Sequence, residues 1–212
     1  MDTSTPPAHT PTYFIDDLVY GFAGHQLFDG LSATLEPGVT WVKGGDGRGK
    51  TSLLRLISGQ VKPQSGSVTQ AGEKGLRPID AADIFFIDPR TEAFDALTPT
   101  AWWASLAADW PLIDTGLLSA LAEDLGLTPH LEKPLFMLST GSKRKVWIAA
   151  AMASGAPLTL IDQPFAALDK PSIVRITALL QSAASRGDRV VVVADYEAPE
   201  GVSLVATVDL GD

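Results

Sequence analysis

The chain contains no cysteine, which excludes disulfides, cysteinyl metal sites and a thiol nucleophile, and agrees with a reducing compartment. Histidine is sparse as well. His9, His25 and His130 are scattered through 212 residues, so a histidine-built metal site is not expected. No apolar run approaches the length needed to cross a bilayer, and the N-terminus lacks the charged-then-apolar order of a secretory signal. Positive charge is in deficit: 16 Lys and Arg against 25 Asp and Glu give a net charge of −9 and a pI near 4.7. That balance opposes an electrostatic grip on nucleic acid or on an anionic membrane surface. The expectation is a cytoplasmic protein that neither binds nucleic acid nor inserts into a membrane, and reaches a membrane only through a partner.

What is present is enough for one domain with a sizeable core: 45% of the residues are hydrophobic. The most informative stretch is Gly-Gly-Asp-Gly-Arg-Gly-Lys-Thr at 44–51, a complete match to the phosphate-binding pattern G-x-x-x-x-G-K-[ST]. Its residues are Gly44, Gly45, Asp46, Gly47, Arg48, Gly49, Lys50 and Thr51, with Ser52 following. Glycines let successive backbone N–H groups turn inward onto a triphosphate. Lys50 brings a point charge toward the β and γ groups, and Thr51 offers a hydroxyl to a magnesium ion. The β-prone run Thr40 to Lys43 precedes the loop, and Thr51 to Ser58 follows with helical apolar spacing that stops at Gly59. Strand, glycine loop and helix together aim a helix N-terminus at an anion.

Along the rest of the chain, residues 1–12 are rich in Thr, Pro and Ser and read as a flexible tail. Short β-prone pieces follow at Tyr13 to Ile15, Leu18 to Tyr20, Leu31 to Leu35, Trp41 to Val42, Ser67 to Thr69 and Ile84 to Ile87. Helical spacing then takes over, at Trp102 to Ala108, Leu117 to Leu125 and Ser142 to Ser154. The end alternates again: strand Leu158 to Ile161, helix Pro171 to Ser185, strand Val190 to Val193 and strand Leu204 to Leu210. Continuous apolar strands alternating with helices imply a mostly parallel sheet covered on both faces. The helical stretch, about residues 91–156, is then an insertion, and 13–212 form one unit.

A phosphate loop needs an acidic partner on a neighbouring strand to hold magnesium through water. Leu158 to Asp162 is an apolar strand ending in that acid, at the carboxyl edge where such sheets bind ligands. Upstream, Leu138, Ser139, Thr140, Gly141 and Ser142 precede the basic run Lys143 to Lys145 and an apolar helix. Downstream, Phe165 to Asp169 follows the acidic strand. In this order, the four motifs resemble those of the ATP-binding cassette (ABC) ATPases, from about Tyr13 to the end, with Leu138 to Ser142 standing where that family has Leu-Ser-Gly-Gly-Gln. A P-loop kinase does not account for the second and fourth motifs. Within the family, Phe28 to Ser32, Gly49 to Leu56 and the short length are most similar to the ATP-binding subunits of the haem exporter used in cytochrome c maturation.

The resemblance implies an α/β P-loop fold of ABC ATPase type, with a mostly parallel core, an antiparallel β portion and an inserted helical subdomain. It implies ATP and Mg2+ as cofactors, with Thr51 and, through water, Asp162 at the metal. It also implies a dimer with a second copy or a different ABC ATPase, beneath a membrane-spanning transporter subunit on the inner face of the cell membrane. Leu138 to Ser142 would reach the nucleotide of the other protomer through Ser139, and Asp169 would lie in the dimer loop. Phe22, or failing that Tyr20, stands where the family stacks a ring on adenine. Phe94 and the pair Trp102-Trp103 fall where it docks a membrane partner, although a tryptophan pair at a helix start is more often core than interface.

Three positions tied to hydrolysis depart from the family pattern. The acid that polarises water is Gln163, an amide that orients a water but takes no proton. The glutamine that senses the metal aligns with Arg90. The histidine after Val190 to Val193 is replaced by Tyr196, or by Asp195 if the register differs by one. Together they make the site more positive and predict slow hydrolysis, with Arg90 a candidate clamp on the phosphates. The alternative they raise is a non-hydrolysing module, the degenerate half of a heterodimer.

Overall fold

The two short β-prone pieces at the start of the chain are one strand. β1 (Tyr13–Phe22) runs through both, interrupted by a register shift around Asp17, whose φ is 48°. It pairs antiparallel with β2 (His25–Leu35) and with β4 (Ser65–Gly72), and β4 with β5 (Gly75–Pro78), giving the order β2-β1-β4-β5, while β3 (Gly38–Lys43), between β2 and β4 in the chain, joins another sheet. All four residues of β5 are exposed, so no apolar alternation announced it in the sequence. This computed structural model describes residues 11–22 and 24–211; the expected tail, save residues 11 and 12, lies outside the described residues.

The second sheet has the order β6-β7-β8-β3-β9, with β6 (Ile84–Phe86), β7 (Leu158–Asp162), β8 (Val190–Asp195) and β9 (Leu204–Asp209). Every neighbouring pair in it is parallel. Its inner strands are apolar on both faces because both faces are covered. Val42, Leu158, Leu160, Val190 and Val192 face a core shared with Tyr13, Ile15, Leu18 and Leu35 of the antiparallel sheet. The helix α1 (Lys50–Ile57) seals that core with Leu53, Leu54 and Ile57. Each fully buried leucine there stabilises the fold by roughly 1.5–3 kcal/mol. Val39, Phe85, Ile161, Val191 and Val193 point the opposite way, into a second core made with the remaining helices.

Those helices start where a side chain satisfies the unpaired N–H groups of the first turn. α2 (Pro99–Leu106) is capped by Thr98, α3 (Thr115–Asp124) by Asp114, α4 (Thr140–Ala153) by Ser139 and α5 (Lys170–Arg186) by Asp169. Expected starts at Trp102, Leu117, Ser142 and Pro171 were therefore one to three residues late, because the polar capping turn carries no apolar signal. α2, α3 and α4 occupy the segment between β6 and β7.

Trp102 and Trp103 belong to the interior. The Trp102 and Trp147 rings meet edge to face with centroids 4.4 Å apart, and Phe94 lies 5.7 Å from Trp102. Trp103 is buried, with Nε1 donating to the Val146 carbonyl at 3.3 Å. Of the two readings of this pair, the core one fits: both indoles are buried holding α2 to α4. Phe94 is half-buried and lines a cleft instead.

Candidate functional site

Five parallel strands deliver their carboxyl ends to one edge of the sheet, and the chemistry-bearing residues sit there. β3 ends at Lys43, the loop Gly44 to Gly49 turns, and α1 begins at Lys50. The turn needs left-handed backbone at Gly47 (φ 77°) and Gly49 (φ 92°), which only glycine adopts without strain. Gly49 has a second reason to lack a side chain: a β-carbon there would lie 2.8 Å from the Phe28 ring. The Lys50 side chain is buried, and its ammonium donates to the carbonyls of Gly44 and of Gly45, the latter at 2.8 Å. Asp46, Gly47 and Arg48 form the exposed lip. The arrangement is a concave loop at a helix N-terminus with one ammonium held over it, which suits a polyphosphate.

Thr51 and Asp162, expected to share a magnesium ion, lie in contact. Thr51 Oγ1 donates to Asp162 Oδ2 at 2.6 Å. Burial pushes the Asp162 carboxyl above its usual range, opposed by the Thr51 bond and by the nearby Arg90 charge. Its other oxygen, Oδ1, is buried with no hydrogen-bond partner among the described residues. Arg90 completes the group. Its Nη2 donates to the same Thr51 oxygen at 2.9 Å.

This geometry bears on magnesium. Thr51 and Asp162 supply oxygen donors of the right kind, but the Thr51 hydroxyl already has both a carboxylate and a guanidinium on it. A divalent ion on that oxygen meets a fixed positive charge. As arranged, these residues do not fit magnesium at Thr51 unless Arg90 withdraws.

Gln163 follows Asp162 with φ 49°, a left-handed conformation uncommon for a residue with a β-carbon. Its backbone N–H donates to the Ala194 carbonyl at 2.7 Å. The two candidates for the missing histidine separate clearly. Asp195 ends β8 in register with Lys43 of β3 and is one step beyond the level of Asp162. It is half-buried, and burial pushes its carboxyl up, partly opposed by the Tyr196 N–H and by the Lys50 charge. Tyr196 is 61% exposed. Of the two, Asp195 is the side chain near Lys50 and Asp162, because β8 runs two residues beyond its valine run, while Tyr196, the preferred candidate, lies on the surface.

The second motif lies at the start of α4. Ser139 Oγ accepts from the Ser142 N–H at 3.1 Å and donates to Ser142 Oγ, so its partners are on its own turn. Ser139 and Thr140 are exposed, while Gly141 is buried against the loop after β7. Leu138 packs against the helical core. In that loop, Asp169 caps α5 by accepting from the Ser172 N–H at 2.8 Å, and the Ser172 side chain, together with that N–H, holds its carboxyl below the usual range. Phe22 is 59% exposed and meets Tyr20 edge to face at 5.5 Å, whereas Tyr20 packs on the core.

Two supports escaped the sequence reading. Arg144, in the basic run Lys143 to Lys145, is buried and donates to the Ala166 carbonyl; its helical spacing from the buried Gly141 and Ile148 was the available signal. Asp88, taken as a strand boundary, accepts from Arg55 Nε at 3.0 Å and from the Arg90 N–H at 2.9 Å.

Comparison with known proteins gives this site its context. A family described as "ABC transporter" matches residues 28–166. The cytochrome c biogenesis ATP-binding export protein CcmA of Gluconobacter oxydans is 32% identical over 199 residues, covering 93% of this chain and 88% of that protein. The protein of the same name from Pseudomonas savastanoi pv. phaseolicola is 29% identical, covering 89% and 90%. An ABC transporter ATP-binding protein from Pyrococcus furiosus has a similar fold, with a TM-score of 0.76 at 21% identity over 94% of this chain and 97% of that one. The chain belongs to the ABC transporter family, as an ATP-binding subunit.

Proposed function

We propose that this subunit serves cytochrome c biogenesis, as a slow ATPase that pairs with a second ABC subunit and drives a membrane-spanning partner from the cytoplasmic face. The branch rests on the relatives, which carry that process in their names. Pairing is supported by the exposure of Ser139 and Thr140 at the start of α4, where, among the described residues, the Ser139 hydroxyl bonds only within its own turn. The cleft of about 470 Å³ lined by Arg55, Gln60, Val61, Phe86, Asp88 and Phe94 is a fitting seat for the membrane partner, and it abuts the loop that carries Arg90.

The observation that carries slow turnover is Gln163. It follows the magnesium-type acid at the strand end, where a proton acceptor is needed to activate water, and an amide accepts none at neutral pH. ATP binding closes the pair, and slow hydrolysis or release reopens it. Arg90 on Thr51 and Gln163 also favour a second reading, a nucleotide-gated partner of a hydrolysing subunit.

Steady-state ATP turnover of the full chain, alone and with its membrane partner, tests the proposal. Wild type turns over slowly, and Gln163→Glu accelerates it by about a hundredfold or more, the usual worth of a positioned general base. Fast wild-type turnover overturns slow hydrolysis. No turnover in either protein favours the gated module.

A further inference from the structure

The position where a divalent cation would touch this chain is taken by one of its own side chains. We propose that Arg90 is a built-in substitute for that cation, so that the site holds a nucleoside triphosphate with little dependence on divalent metal. The inference rests on the reading of Gly44 to Thr51 as the triphosphate site.

Three observations carry it. The Arg90 guanidinium is 2.9 Å from the Thr51 hydroxyl, which is itself 2.6 Å from Asp162. The charge therefore sits on the oxygen that the phosphate-loop pattern assigns to the metal. Second, the loop bearing Arg90 is fastened to the helix that begins with the phosphate loop. Arg55 of α1 pairs with Asp88, and Asp88 Oδ1 accepts the Arg90 N–H at 2.9 Å. Arg90 thus keeps its place relative to Lys50 and Thr51.

Third, the charges balance without a metal. Lys50 faces Asp195, Arg90 and Arg144 face Asp162 together with Asp88, three charges of each sign, and Gln163 adds none. A carboxylate at 163 would leave a negative excess for a divalent ion to offset. The amide does not. A guanidinium is charged at all accessible pH values and its planar fork matches two phosphate oxygens. It supplies permanently and in place what a hydrated ion supplies only when bound. Among the described residues, no three His, Asp or Glu side chains converge to rebuild a metal site nearby.

The test is ATP affinity of the full-length protein by calorimetry, in excess magnesium and in excess EDTA. Wild type binds within about threefold in the two conditions, under 1 kcal/mol on the scale where 1.4 kcal/mol is tenfold. Arg90→Gln, at an exposed position that leaves the fold intact, binds at least about tenfold more weakly in EDTA than in magnesium. Arg90→Lys, which keeps the charge without the fork, falls between. A wild-type loss of tenfold or more in EDTA overturns the proposal. Metal-independent binding that survives in Arg90→Gln removes Arg90 as its cause and overturns it equally. Binding in neither condition is a different failure: it overturns the triphosphate reading itself.

Discussion

Gly141 and Ala167 approach so closely that no side chain fits between them. A β-carbon on Gly141 would lie 2.3 Å from the Ala167 carbonyl oxygen. Beside this contact, Arg144 donates to the carbonyl of Ala166. The start of α4 and the loop that follows Gln163 are therefore one packed unit, although they are distant in the chain.

Gly141→Ala tests that joint. In an ordinary helix the change is stabilising by about 1 kcal/mol. Here the new methyl meets backbone, and overpacking of that kind costs roughly 1–3 kcal/mol. The variant is expected to lose about 1 kcal/mol in urea denaturation. A gain in stability would mean that the loop gives way freely.

Phe22→Ala separates a binding ring from a packing ring. Phe22 is largely exposed, so its loss should leave stability within about 0.5 kcal/mol. If the ring stacks on the base, ATP affinity falls by about tenfold, since base–aromatic stacking is worth roughly 1–3 kcal/mol. Equal affinity in a binding titration would assign Phe22 to the surface only.

Asp195→Asn reads the electrostatics at the end of β8. Burial raises the Asp195 carboxyl, with Lys50 and Asp162 facing it. Its folded-state pKa thus lies above the unfolded value. The stability contributed by its protonated form is complete below the ordinary carboxylate range and is lost as pH rises through the raised value. At neutral pH the ionised carboxylate destabilises the fold. The asparagine variant, which keeps an acceptor for the Tyr196 N–H, should melt at higher temperature than wild type at neutral pH. The advantage should vanish below about pH 4. An advantage that is independent of pH would place its origin in packing.

Much of the fold was legible because its strands are buried on both faces. Val190 to Val193 and Leu158 to Ile161 cannot avoid reading as apolar runs, and Gly44 to Thr51 has a spacing set by phosphate geometry. The legibility failed where structure is made by polar atoms. Helix starts at Thr98, Asp114 and Ser139 depend on single hydrogen bonds to backbone N–H groups, which leave no periodicity. β5 is exposed throughout and is defined by pairing alone. The Arg90 loop was placed by counting along the chain, but its anchor through Arg55 and Asp88 joins residues 33 apart. Trp102 and Trp103 showed the opposite difficulty: a large apolar surface is equally suited to a core or an interface until its neighbours are known.

Those indoles have an optical consequence. Trp102 and Trp147, edge to face at 4.4 Å, are close enough for their electronic transitions to couple, and Trp147 reaches the wall shared with Pro89 and Arg90. Trp41 donates to the backbone carbonyl of Asp195 at 3.2 Å. The protein therefore carries native chromophores behind two sides of its candidate nucleotide site. Their near-ultraviolet dichroism and emission report a shift of the Arg90 loop or of the β8 end directly, with no label attached.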